Sequence, residues 1–251
     1  MGFEKGPECP GARLTDADFS GARLHAPSFE GTKITDGYFV NADISADIEG
    51  LRVNGVEIAP LVEAERVRRF PDRAKLRAAD PPGIGEAWTM IENRWRTTVE
   101  RARSLPESLL YEQVDDEWSF VETLRHLIFA TDTWLLRMVR HESRPFHPWG
   151  VAGSWLTDPH SIGLELDAAP SFADVLEVRR GRMKAVRETI VALTPDELER
   201  VCIPPDPPGH PAEPRTVLHC LHVVLNEEWE HNQYAGRDLS LLGASGVEEL
   251  A

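Results

Sequence analysis

Large apolar residues recur in the first fifty positions at a spacing that belongs to neither a helix nor a strand. From Ala12 the chain divides into pentads whose centres are Leu14, Phe19, Leu24, Phe29, Ile34, Phe39 and Ile44. Two positions before each centre stand Ala12, Ala17, Ala22, Pro27, Thr32, Gly37 and Ala42, which are mostly small. A helix repeats every 3.6 residues and a strand every two, so a strict period of five means stacked coils. The register fails at the eighth pentad, where Glu49 takes the centre and Ile48 is displaced by one. Arg52-Val53 and Val56-Glu57 then flank Asn54-Gly55, the signal of a type I′ hairpin, which is expected to cap the stack.

Beyond residue 58 the spacing becomes helical. A short helix is expected over 61–69, opened by Pro60 and ended by Phe70-Pro71, and residues 71–82 read as a connector. Four long helices follow. The first spans about 85–105, with Ala87, Trp88, Ile91, Trp95, Val99 and Ala102 on one stripe. The second starts at Ser119, which forms a capping box with Glu122, and runs to about Arg140. The third runs from Ser171 to about Leu193, and Thr194-Pro195 with Glu197 caps a brief extra turn. The fourth begins after Pro214, capped by Thr216, and ends near Leu242, with Gly243 as its stop. Loops at 141–170 and 203–214 are long, so a bundle with one or more crossovers is predicted. No strand is expected after residue 83.

The pentads strongly resemble the pentapeptide-repeat family, which implies a right-handed square β-helix with four pentads per coil. Seven pentads make fewer than two coils, a short stack that needs capping. The expected fold is therefore mainly α: a four-helix bundle over 83–243, preceded by a β-coil with its hairpin over 1–58 and a helix-and-linker segment over 59–82, and followed by a tail, 244–251.

Charge narrows the partners. Lys plus Arg number 27 and Asp plus Glu 42, a formal charge of −15. Binding to nucleic acid or to an anionic membrane surface needs clustered cations, so neither is expected. An acidic mimic of nucleic acid fits the charge, but the pentad stack is far too short for a rod. Cys9, Cys202 and Cys220 form no CxxC pair, and the N-terminus carries no apolar leader, which together point to a cytoplasmic protein.

The last helix holds the candidate chemistry. Glu227 and His231 are four apart, about 40° around a helix, which is metal-ligand spacing. Glu228, three before His231, is the rival partner, whereas His222 lies about 180° away and cannot share a mononuclear site. His126 sits among Leu124, Leu127, Ile128, Phe129 and Trp134, and a histidine so placed needs a partner. Asp238, about 20° off the His231 stripe, could orient a ligand or pair with Arg237. Cys220 reads as a small buried filler. His147 reads as a loop histidine near the pocket mouth, and Trp118 and Trp149 as residues flanking the opening.

EWSFVETLRHLIFATDTWLLR, followed some hundred residues later by LHCLHVVLNEEWEHNQYAGRDL, resembles the DinB-like four-helix family. That family includes mycothiol-dependent maleylpyruvate isomerases and thiol S-transferases. The resemblance implies a divalent metal on His126, Glu227 and His231, with Zn²⁺ first and Ni²⁺ or Mn²⁺ as alternatives. It further implies a low-molecular-weight thiol, mycothiol or similar, activated against an electrophile for S-transfer or isomerisation. The competing expectation is a non-catalytic metal-binding or interaction module that uses the pentads for assembly, with a homodimer as one form.

Overall fold

The computed structural model describes residues 9–153, 156–205 and 211–248, the last four of these as backbone only. The expectations about the leader and the end of the tail fall largely outside these residues. The elements, in chain order, are β1 (Arg52–Val53), β2 (Val56–Glu57), α1 (Ala59–Arg69), α2 (Pro81–Ala102), α3 (Phe120–Thr131), α4 (Phe172–Val191), α5 (Pro195–Glu199), β3 (Val201–Cys202), β4 (Arg215–Thr216) and α6 (Val217–Glu248).

Four of these helices form the bundle. α2 packs against both α4 and α6, and α3 packs against the same two helices from the other side. The chain therefore crosses the bundle between α2 and α3 and again between α4 and α6, which is why those connections are long. The predicted stripe of α2 is buried apart from the half-buried Val99, with Ala87 and Ile91 at 0% exposure. It meets Leu124, Leu127 and Ile128 of α3 and Leu221, Val224, Leu225 and Trp229 of α6 in one core.

Caps explain where the helices begin. The Ser119–Glu122 capping box is present in both directions, and Ser171 and Thr194 cap α4 and α5. α2 begins earlier than its apolar stripe. Asp80 accepts the Gly83 N–H at 2.9 Å, and Pro81 occupies the first turn, where its missing N–H would have had no partner. The end of the expected connector is thus the start of the helix.

Three other expectations are corrected. Gly243 does not stop α6, which continues to Glu248. α3 passes into a π-helical stretch, Asp132–Val139, that no apolar period announces. Residues 201–202 and 215–216 pair as an antiparallel two-stranded sheet, with Cys202 opposite Arg215. Two residues per strand are too few for an alternation to be read.

The hairpin β1–β2 stands as predicted, with Asn54 at φ +50° and Gly55 at +83°, both as a type I′ turn requires. The β-helix does not. Among the described residues the only sheets are the two small ones. The pentad period survives in the backbone as a left-handed residue at every fifth position, Gly11, Asp16, Gly21, Ala26, Gly31, Asp36 and Asn41. Yet the seven apolar centres are 54–67% exposed. A stack of fewer than two coils has no neighbouring coils on which to bury its row.

Candidate metal centre

α3 and α6 face each other, and three side chains meet between them. One nitrogen from each of His126 and His231 and a carboxylate oxygen of Glu227 lie within 4.8 Å of one another. The imidazole centroids are 4.6 Å apart. Exposure is 13% for His126, 17% for His231 and 31% for Glu227, so the centre is mostly shielded but reachable from the Glu227 side.

Both imidazoles are oriented by the backbone. His126 Nδ1–H donates to the Val151 carbonyl at 2.9 Å, and His231 Nδ1–H donates to the Glu227 carbonyl at 2.9 Å. Each ring is thereby set to offer Nε2 as its lone-pair donor, the arrangement that metal-ligating histidines use. His126 Nε2 lies 3.1 Å from Glu227 Oε2. With Nδ1–H committed to Val151, that contact needs a cation, a proton or a metal ion, between nitrogen and carboxylate. Burial, followed by the charge of His126, pushes His231 down to about 4, so His231 is neutral at pH 7. Burial raises the Glu227 carboxyl, but the hydrogen bond from His126 and the charge of that ring, with the smallest contribution from His231, outweigh it and hold it below the usual range. A neutral imidazole and an ionised carboxylate are the forms that bind metal.

Trp118 covers the pair, its ring 4.5 Å from His126 and 6.1 Å from His231 by centroids. Its position is held from α6, where Arg237 reaches Glu117 at 2.6 Å and Asp238 at 2.6 Å. Asp238 therefore serves Arg237 and does not meet a histidine of the centre.

The loop after α3 supplies the Val151 carbonyl, and several residues fasten it. Arg125 Nε donates to the Trp149 carbonyl at 2.8 Å. Asp132 accepts the His147 N–H at 2.8 Å and pairs with Arg182 of α4. Gly150 lets the loop lie on α3, since a Cβ there would meet Phe129 Cβ at 3.3 Å and Leu164 at 3.1 Å. His147 is thus a loop staple, with its ring edge-on to Trp149.

The remaining candidates are placed elsewhere. Glu228 is turned into the core, where Arg179 holds it by two bonds of 2.7 and 2.8 Å. His222 Nε2 faces the Ala78 carbonyl at 2.8 Å. Cys220 is fully buried, as a filler would be. The positioning residues Arg125, Asp132, Arg179 and Arg182 are missing from a reading by ligand spacing. Their signal is a charged residue inside an apolar helix, as Asp132 is in FATDTWLL, which demands a partner when buried.

No curated protein matches the chain. No solved structure matches it. The model of the DinB superfamily matches residues 90–235, which include all of α3 and α4 and the three converging side chains, and this is more than half of the chain: the protein belongs to the DinB superfamily.

Proposed function

We propose that His126, Glu227 and His231 bind one divalent metal ion and that the centre activates a low-molecular-weight thiol, mycothiol or a similar one, for S-transfer to an electrophile or for isomerisation. The observation that carries this reading is the pair of anchored imidazoles. Val151 and Glu227 carbonyls fix both Nδ1–H groups, so two nitrogens and one carboxylate converge with no proton needed on His231. Two imidazoles and a carboxylate suit Zn²⁺, with Ni²⁺ or Mn²⁺ as alternatives. When bound, such an ion favours thiolate over thiol at neutral pH.

The chain's own residues account for the rest. Val151 keeps His126 in one tautomer, Trp118 excludes water from one side of the imidazoles, and the exposed flank of Glu227 leaves an approach for the thiol. The test is metal content of the wild type beside His231→Ala, followed by the visible spectrum of the Co²⁺ form titrated with mycothiol. Near-stoichiometric metal lost in the variant, and a thiolate-to-Co²⁺ band on adding thiol, are expected. Absence of metal in the wild type rejects the centre, and a spectrum indifferent to thiol rejects its chemistry.

The seven exposed pentad centres favour a second role, assembly, beside either outcome. Sedimentation of the full chain as a monomer at all concentrations would remove it.

A further inference from the structure

α2 and α4 run antiparallel along one side of the bundle, with Gly85 facing Ile190 and Glu92 paired with Arg187. Beyond that pair a cleft of about 330 Å³ lies between the two helices, over α3. Its floor is apolar: Trp95 and Val99 of α2, Leu124 of α3, and Leu176 and Met183 of α4. Its α4 wall carries Arg179, Arg180, Lys184 and Arg187, against one acid, Glu92. On a chain of net charge −15 such a wall is the reverse of the average surface. Arg179 is committed to Glu228 in the core and Arg187 to Glu92. Arg180 and Lys184 are 71% and 75% exposed, and each pairs with an exposed glutamate of its own helix. Such pairs contribute little in water, so both cations can turn to an anion in the cleft. The Trp95 indole N–H is buried and has no acceptor among the described residues, so the floor also holds an unsatisfied donor. Leu124 is two positions from His126, about 200° around α3, which puts the cleft and the metal centre on opposite faces of that helix.

We propose that this cleft binds the anion of a medium-chain fatty acid. The carboxylate pairs with Arg180 and Lys184 at the rim, and the acyl chain lies along the floor. Three features select that ligand. The floor is aliphatic apart from the Trp95 ring, and Met183 is a flexible thioether that adapts to a chain, which fits an acyl group better than a flat aromatic body. The rim attracts an anionic head and repels an ammonium on a chain of the same length. The volume lies at the small end of ligand sites, which span roughly 300–1,000 Å³, and so suits a chain of medium length. Burial of the chain supplies affinity, and the cations supply the choice of head group. The site makes no use of the metal centre, so it stands or falls independently of the thiol chemistry.

The experiment titrates octanoate into the isotope-labelled full chain, kept metal-free with EDTA, and follows the indole N–H signals in nitrogen–proton correlation spectra. Trp95→Phe serves only to assign the Trp95 signal. A saturable shift of Trp95 is expected, while the signal of Trp118, beside the metal centre, stays in place. Octylamine, cationic at neutral pH, should bind at least about tenfold more weakly. Charge reversal at the rim, Arg180→Glu with Lys184→Glu, should raise the octanoate Kd at least about tenfold. Both positions are exposed on α4, and thermal unfolding reports whether the double variant is folded. If it is not, the comparison of octanoate with octylamine on the wild type still decides. A Trp95 signal that octanoate leaves in place at millimolar concentration, a response confined to Trp118, equal responses to octanoate and octylamine, or an unchanged Kd in the folded double variant would each overturn the assignment.

Discussion

Adjacent glutamates on α6 should fail in opposite ways when their charge is removed. Glu228 is 1% exposed and Arg179 3%, joined by two short bonds, and the guanidinium also lies 5.5 Å from the Trp95 ring. In Glu228→Gln one amide oxygen still accepts, but the amide N–H groups face an Arg179 N–H, and the buried cation loses its counter-charge. Breaking a buried pair in this way costs about 3–5 kcal/mol. That is a large share of a typical stability of roughly 5–15 kcal/mol. Glu227 is 31% exposed and among the described residues its carboxylate meets the two histidines, so Glu227→Gln should cost under about 1 kcal/mol in metal-free protein. The assay is urea unfolding with and without Zn²⁺, together with metal content after dialysis. Wild type and Glu228→Gln should both gain stability from metal, about 2.7 kcal/mol at a hundredfold excess over Kd. Glu227→Gln should gain little and retain little metal. A Glu228→Gln protein that is stable but metal-free, or a Glu227→Gln protein that keeps stoichiometric metal, would refute the division of labour.

Asp132 predicts a pH dependence. Burial lifts its carboxyl to about 6 against the ordinary 3.8, although Arg182 and the His147 N–H oppose the rise. The folded state holds the proton more tightly, so this contribution, roughly 3 kcal/mol, is fully present below about pH 4 and is lost as pH rises through about 6. The stability difference between wild type and Asp132→Asn should therefore move in favour of the variant between pH 4 and 7. A difference that stays flat over this range, by denaturant titration, removes the argument. The pentads supply a contrast with the core. Phe19→Ser, at a centre 61% exposed, should change stability by less than about 0.5 kcal/mol, whereas Ile91→Ala, at 0% exposure, should cost about 2–5 kcal/mol. A cost above about 2 kcal/mol for Phe19→Ser, measured by thermal and urea unfolding, would show that the row is buried after all.

Local order was legible where one strong rule acts over neighbouring residues. The Asn54-Gly55 turn, the Ser119–Glu122 box and the α2 stripe each follow from contacts within a few positions, and each stands as read. The Asp80 cap was hidden because two prolines mask a helix start as a connector. The β-helix failed for a different reason: a period defines which residues would stack, but closure needs enough coils to bury them.

The sequence by itself determined the helical faces, the Ser119, Ser171 and Thr194 caps and the Glu227–His231 pair at ligand spacing, because those depend on a repeat of 3.6 residues and on side-chain chemistry. Only the tertiary structure decided which of two adjacent glutamates faces His126. About 100° of helix rotation sends Glu228 to Arg179 and leaves Glu227 at the histidines, and that choice rests on where α4 packs. Likewise, the carbonyl that orients His126 comes from Val151, 25 residues away along the chain, and no local rule places it there.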